Sequence, residues 1–497
     1  MTRTMAVLGV DVGTTSAKAV AFDERGRDLG SGEHAYPMLE PAPGQSVQEP
    51  DKVIAAMVAA TRAAAAAARE RGAEVSALSV SAAMHAVAAL DANDRPLTPI
   101  VTWADLRAAE QAERLRAEHP ELHDRTGTPL HPMAPLAKLV WFAEHEPETC
   151  AAARRWVGVK ELAVARLTGE WAVDHSMASG TGLMNLERLA WDDEALAIAR
   201  IEPGQLAPLV PTTERLALSD DAAAELGLDA GLPVIVGAGD GPLANLGVGA
   251  VRPGVAACSI GTSAALRLMV ERPAVDPYRR VFSYALTPGR WAVGGALNNG
   301  GAVLRWAADA LAPDLGPDAL GELMAIAAKA PAGSDGLIML PYLLGERAPH
   351  WSAFARGAYV GLARHHRREH LVRAALEGVC HQLALVLASL RATGNEVREV
   401  RATGGFARSA LWRQMLADAL GMPIGFPAGH EGSAFGAALL GMEALGTVAS
   451  IDVAADLVTI EDVVEPNPEA AATYARQLPI FEQLYDALTP AFRALQR

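Results

Sequence analysis

The feature that most constrains the fold is a pattern that occurs twice. Near the start, Ala6 to Val12 is a short apolar run broken by Asp11. It leads through Gly13-Thr14-Thr15 into a second β-type run, Ala17 to Asp23, which ends at a Glu-Arg-Gly turn. In the second half, VAACSIGTSAALRLMV repeats the arrangement: an apolar strand, Gly261-Thr262-Ser263, and a second apolar strand. Each copy reads as a β-hairpin with polar chemistry at its bend. One hairpin near the start of each half predicts a duplicated fold whose hydroxyl-rich turns face each other across a cleft.

Strands and helices alternate between and after the hairpins. Strands are expected over residues 73–81, 232–236, 336–340 and 397–403, and helices over 110–118, 134–144, 368–390 and 410–420. Residues 463–497 read as helical beyond Pro466 and Pro468, free to pack on a lobe or on a homodimer partner. The alternation predicts α/β layers in two domains. The division is placed at residues 1–245 and 246–497, a little before Pro253. No low-complexity linker marks it, so the lobes are expected to pack closely.

Composition narrows the function classes. The 497 residues are 51% hydrophobic and 20% charged, an ordinary globular balance. With 43 basic against 58 acidic residues the formal charge is −15, and no basic block compensates, which argues against nucleic-acid binding. The three cysteines, Cys150, Cys258 and Cys380, form neither a disulfide pattern nor a CxxC zinc signature. The first thirteen residues run straight into a strand with no signal-peptide architecture, and no uninterrupted apolar stretch approaches membrane-spanning length. A cytoplasmic protein without membrane or nucleic-acid partners is expected.

The turns carry the candidate chemistry. In Asp11-Val12-Gly13-Thr14-Thr15-Ser16, glycine lets the backbone approach a phosphate, while hydroxyls and amide N–H groups can wrap its oxygens. Asp11 can serve Mg²⁺, usually through water, and Lys18 adds a positive charge. The same residues also suit a plain β-turn. Gly237-Ala238-Gly239-Asp240-Gly241 follows an apolar strand, where open α/β sheets bind ligands, so Asp240 can take a proton from an attacking hydroxyl or simply shape a turn. Thr403-Gly404-Gly405-Phe406-Ala407-Arg408-Ser409 joins a strand to a helix whose N-terminus suits a nucleotide. Asn298-Asn299-Gly300-Gly301 is a similar polar glycine turn. Segments at Met84-His85, Trp103 to Arg107 and His131 place directed polar groups beside apolar surface, as sugar sites require, although each histidine reads first as a satisfied core residue and only second as a ligand.

Together these segments resemble the FGGY carbohydrate kinases, which share the duplicated ribonuclease-H-like fold of actin and hexokinase. The likeness runs from about Leu8 to about Gly441 and is tightest in MAPLAKLVWFAEH and GAYVGLARHHRREHLVRAALE. Within the family, SAAMHAVAALDANDRPLTPIVTWADLR, GTPLHPMAPLAKLVW, VGVKE and GERAPHW resemble the gluconate kinases more than the xylulose or glycerol kinases. Ala83-Met84-His85-Ala86 and the glycine after Asp240 depart from those other groups in the same direction.

The resemblance implies Asp240 as general base, Asp11 beside Mg²⁺ and the transferring phosphate, and ATP as phosphoryl donor. Asp11 and Asp240 are the implied metal-facing carboxylates. It implies phosphate turns at Gly13, Thr14, Thr15 and Lys18 and at Gly261, Thr262 and Ser263. Gly404, Gly405 and Arg408 fall in the adenosine segment, with Gly300 and Gly301 beside the nucleotide. Met84, His85, Trp103, Asp105 and Arg107 fall in sugar-binding segments. A sugar-acid substrate needs a cation for its carboxylate, and Arg107, His131, Lys160 and Arg347 are candidates, with Arg107 or Lys160 preferred. A pentulose or other polyol kinase is the alternative within the family. A sugar sensor or actin-like ATPase switch is the alternative outside it, and the retention of both turns and Asp240 argues against it.

Overall fold

The computed structural model describes residues 4–316, 320–428 and 432–495; residues 1–3 and 496–497, which fall in the terminal segments expected from the sequence, lie outside these. The apolar N-terminal run forms β1 (Thr4–Val12), which turns back into β2 (Ser16–Phe22) and then β3 (Asp28–Ala35). With β4 (Ala73–Ala82), β5 (Arg215–Ala217) and β6 (Pro233–Gly239) they make a six-stranded sheet of order β5-β6-β4-β1-β2-β3. β1, β4 and β6 run parallel, and the other neighbours are antiparallel.

The second sheet repeats this plan. Its strands are β7 (Val255–Ile260), β8 (Ala264–Val270), β9 (Phe282–Thr287), β10 (Arg290–Leu297), β11 (Glu399–Thr403), β12 (Ile424–Pro427) and β13 (Ile460–Val464). Their order is β9-β10-β8-β7-β11-β12-β13, with β7, β11 and β12 parallel. Read outward from the hairpins, β3-β2-β1-β4-β6-β5 matches β10-β8-β7-β11-β12-β13 in neighbour and direction, and β9 is an added edge. The duplication expected from two hairpins is therefore present in whole sheets.

The helices that cover these sheets and frame the space between them are α1 (Pro50–Glu70), α2 (Val159–Thr168), α3 (Asp240–Gly247), α4 (Gly301–Leu311), α5 (Arg368–Ala392), α6 (Ala410–Leu420), α7 (Gly432–Leu445) and α8 (Pro468–Ala494). Along β1 the side chains alternate: Leu8, Val10 and Val12 pack toward α1, while Val7 packs toward α7. α7 lies in the second half of the chain yet covers the first sheet. Its small residues permit this, because a Cβ on Gly9 would lie 1.9 Å from the Ala434 carbonyl oxygen and one on Gly436 would lie 2.2 Å from that of Leu243. The close packing of the lobes expected from the missing linker is realised in this helix.

α5 is the one helix among the described residues long and apolar enough to cross a membrane, and 89% of its apolar window is buried inside the protein as a core element. α8 starts on Pro468, with Asn467 accepting from the amides of Glu469 and Ala470. It buries Tyr474, Phe481, Tyr485 and Phe492 against its own lobe. The helix expected beyond Pro466 and Pro468 is thus present from Pro468, while Val463 and Val464, at the start of that segment, belong to β13. The strand expected over 336–340 is only Ile338–Leu340, preceded by a 3₁₀ turn at Ser334–Gly336. β6 runs to Gly239 rather than stopping at Val236, so Asp240 leaves the strand directly.

The Gly9–Ala434 contact yields a test. Gly9→Ala must push α7 off β1 and should cost about 1–3 kcal/mol, as overpacking does. Gly204→Ala, where a Cβ meets nothing within 4 Å, should stay within about 0.5 kcal/mol. Urea denaturation midpoints of the two variants check this.

Candidate active site

The carboxyl ends of the three parallel strands of the first sheet meet in one row. Asp11 on β1 is the register partner of Ser81 on β4, and Ser81 is the partner of Ala238 on β6. The Ser81 hydroxyl donates to Asp11 Oδ1 at 2.6 Å, and the Ser433 hydroxyl, from the start of α7, donates to Oδ2 at 2.7 Å. Two residues beyond Ala238, Asp240 opens α3 and accepts from the Gly241 amide at 2.7 Å. Burial raises the pKa of both carboxyls. For Asp240 it is reinforced by the charge of Asp11 and opposed by Arg267, and the result is a value of about 6.

The β1–β2 turn is held from behind. Gly13 N–H donates to the Ser16 carbonyl at 3.0 Å, Tyr36 hydroxyl to the Gly13 carbonyl at 2.5 Å and Gln48 amide to the Thr14 carbonyl at 2.6 Å. Trp103 Nε1 donates to Thr14 Oγ1 at 3.0 Å. Thr15 is exposed and Lys18 is partly buried on β2.

The matching turn of the second sheet is a meeting point of backbones. Gly261 N–H reaches the Ser263 carbonyl at 2.9 Å, while the Gly301 and Gly300 amides donate to the carbonyls of Gly261 and Thr262 at 2.6 and 3.2 Å. A Cβ on Gly300 would lie 2.5 Å from the Ser263 oxygen, so the start of α4 can close on this turn only as glycine. Gly404, at φ 113°, packs just as tightly on the Ile260 carbonyl. Gly405 and Arg408 follow it, exposed, in a short 3₁₀ turn ahead of α6. The structure thus brings all three glycine segments of the second half to one place.

A cavity of about 170 Å³ connects the two sides. Thr14, Met84, His85 and Trp103 from the first half and Ser259, Ser263, Arg267, Tyr284 and Arg347 from the second line it, with Asp240 and Gly241 between them. Met84 fits because Gly239 has no side chain; a Cβ there would lie 2.7 Å from it. His85 donates from Nδ1 to the Gly180 carbonyl at 2.7 Å, and burial holds its pKa down to about 3, so the ring is neutral and Nε2 faces the Tyr284 hydroxyl at 3.5 Å. The Arg347 guanidinium lies 4.6 Å over the Trp103 ring and donates to the Leu297 carbonyl at 2.8 Å. Burial lowers it to about 10, so it stays charged at neutral pH. Arg267 lies beside Gly241, its Nε 3.4 Å from where a Cβ on that glycine would be.

Four predicted substrate contacts lie off this wall. Asp105 is fully buried and saturated by the amides of Ser46 and Arg107 and by the Arg107 fork, at 2.7–3.0 Å. Arg107, so paired, stacks on Trp141 at 5.0 Å. Lys160 is fully buried and spends its protons on the backbone carbonyls of Val80, Val236 and Ala238. Neither preferred cation is thus free to meet a substrate carboxylate. His131 sits behind the wall, against Trp351. Its Nδ1 accepts from the Met133 amide, and its Nε2 has no partner among the described residues.

The known proteins place this arrangement. The N-terminal domain of the FGGY family of carbohydrate kinases matches residues 6–247, and its C-terminal domain matches residues 256–445. The chain belongs to the FGGY carbohydrate kinases. It is 42% identical over 490 residues to a gluconokinase of Bacillus subtilis, covering 96% of this chain and 95% of that one. It is 31% identical over 486 residues to a xylulose kinase of Escherichia coli, covering 97% and 99%. In three dimensions it superposes at TM-score 0.93 on a gluconate kinase from Lactobacillus acidophilus, with 33% identity and coverage of 99% and 100%. A ligand-bound xylulose kinase from the same organism gives the same values.

In this FGGY kinase, sequence reasoning missed four residues of the candidate site: Arg267 and Tyr284, which line the cavity, and Ser81 and Ser433, which hold Asp11. Arg267 had a visible signal, as the one charge inside the apolar strand AALRLMV. The hydroxyls had none, because they depend on strand register and on where α7 lands.

The raised carboxyl of Asp240 predicts a stability signature. An unfolded Asp titrates near 3.9 and the folded one at about 6, so the folded state gains stability below pH 4 and loses it as pH rises through 6. Asp240→Asn should therefore stabilise the protein at pH 7.5, on the order of 1–3 kcal/mol, with the gain vanishing near pH 4. Thermal midpoints across that range check it.

Proposed function

We propose that the chain is a cytoplasmic, ATP-dependent gluconokinase that transfers the γ-phosphate of ATP to the 6-hydroxyl of D-gluconate. Residues 1–245 would act as the sugar lobe and 246–497 as the nucleotide lobe. The observation that carries this reading is the pairing of Asp240 with two cavity guanidiniums, Arg267 and Arg347, that form no ion pair among the described residues. A neutral ketopentose has no use for a second buried cation, whereas a sugar acid does. The higher identity to a gluconokinase than to a xylulose kinase supports the same choice, while the fold comparison favours neither.

The chemistry follows from positions. Asp240 accepts the proton of the acceptor hydroxyl, and its raised pKa keeps it a competent base near neutral pH. Arg267 stands beside it and favours its ionised form. Arg347, flattened on Trp103, takes the sugar carboxylate at the other wall, with Met84 and His85 shaping the floor. Gly13, Thr14, Thr15 and Lys18 on one side and Gly261, Thr262 and Ser263 on the other hold the triphosphate. Gly300 and Gly301 press on the second turn, and Gly404, Gly405 and Arg408 border the adenosine. Asp11 keeps acceptor capacity beyond its two serine hydroxyls, and its mutual repulsion with Asp240 calls for a cation, so the pair fits a hydrated Mg²⁺. When bound, that ion neutralises charge on the phosphoryl oxygens.

Coupled ADP release with Mg-ATP against gluconate, xylulose, ribulose, glycerol and no sugar tests the reading. Turnover on gluconate is expected, with kcat/KM falling below pH about 6 at unit slope. Asp240→Asn should lower kcat by about 10²–10⁴ and abolish the limb. Turnover on a ketopentose instead would overturn the substrate and keep the mechanism. Separately, Arg347→Met should raise KM for gluconate by about 10–100-fold, with a smaller change in kcat, because it strips the partner from a buried charge.

A further inference from the structure

The ladder between β4 and β6 is interrupted just before the site. Val234 and Ile235 pair with Leu78 and Ser79, and pairing resumes with Ala238 and Gly239 against Ser81 and Ala82. Val236 and Gly237 therefore stand opposite Val80 alone, which is a β-bulge. Gly237 is at φ 79°, and a Cβ on it would lie 1.9 Å from the Val80 carbonyl oxygen. The amides of Val236 and Gly237 turn away, donating at 3.0 Å to the carbonyls of Glu214 and Thr212. The carbonyls at the bulge thus need donors from elsewhere.

Lys160, in the first turn of α2, supplies them. Its ammonium is fully buried and contacts the Val80, Val236 and Ala238 carbonyls, the latter two at 2.8 and 3.0 Å. An ammonium has three N–H groups, and here each has a carbonyl. The counter-charge is Asp174, also fully buried, at 3.6 Å, outside hydrogen-bond range, while its other oxygen caps a helix through the Met177 amide at 2.9 Å. The three carbonyls straddle the site: Ala238 is the register partner of Ser81, which holds Asp11, and Asp240 leaves the strand two residues later.

We propose that Lys160 is a positioning residue for phosphoryl transfer, its ammonium locking the β6 bulge and so fixing the direction in which Asp240 leaves the strand. This rests on the kinase reading above. A base displaced by about 1 Å can cost about 10²-fold in rate with little loss of binding.

Four proteins test it: wild type, Asp174→Asn, Lys160→Met/Asp174→Asn and Lys160→Gln/Asp174→Asn. The paired changes remove the charge together with its counter-ion, so no lone ion is left buried. Asp174→Asn, which keeps the carbonyl lock, should hold kcat within about threefold of wild type. The Met pair should lose about 30–100-fold in kcat per folded molecule, with KM for sugar and Mg-ATP within about threefold. The Gln pair restores two N–H donors and should recover part of the loss. A Met pair whose kcat per folded molecule equals that of Asp174→Asn, with only its melting temperature lowered, would overturn the inference and leave Lys160 a purely structural ion. A Met pair altered in KM alone would also overturn it. A wild type silent on every sugar would overturn the kinase reading itself.

Discussion

Two carboxylates, Asp11 and Asp240, share a confined space at the ends of parallel strands, and most of what surrounds them answers the cost of keeping them there. Burial and mutual repulsion both favour the protonated forms. Hydroxyls from Ser81 and Ser433 hold Asp11, the Gly241 amide at the start of α3 holds Asp240, and Arg267 lies on the far side. None of these interactions removes the repulsion. The pair remains poised, with acceptor capacity that its hydroxyl and amide neighbours leave unfilled, which is how a binding centre differs from a satisfied core.

That poise requires two lobes that are separate enough to form a cleft and tied enough to hold it. α7 performs the tying. Its small residues lay it across β1 and against α3, and its first turn delivers Ser433 to Asp11. One helix from the second half thereby touches both the strand that carries Asp11 and the helix that carries Asp240. Motion of α7 relative to the first sheet would be felt at both carboxylates, so lobe movement and site geometry are mechanically linked.

The topology was largely legible in the sequence, because hairpin turns and apolar strands are local signals. The two glycine–hydroxyl bends predicted the duplication, and the apolar strand before Asp240 placed that residue at a sheet end. The fates of the cations were not legible. Arg107 and Lys160 look as available as Arg347 in one dimension, and only the fold turns Arg107 onto Asp105 and Lys160 into the bulge between β4 and β6. A buried lysine is chosen by unpaired carbonyls, and these exist only once strand register is set. The extension of β6 to Gly239 was missed for the same reason: glycines read as a turn when the bulge that uses them is not visible.

The asymmetry between the two copies shows why a duplicated fold yields a single site. In the first hairpin Asp11 pairs in register with Lys18; in the second, Ser259 pairs with Ala265. The position that bears a carboxylate in one lobe bears a neutral hydroxyl in the other, and Ser259 lines the cavity. A second carboxylate there would face the same space as Asp11 and Asp240 and repel any polyanion entering it. The second lobe instead contributes Arg267 and Arg347 to that cavity and, at its own hairpin, backbones packed together at glycine. Asp240 from one lobe and the guanidiniums of the other thus line a single cavity, an arrangement two identical copies would not give.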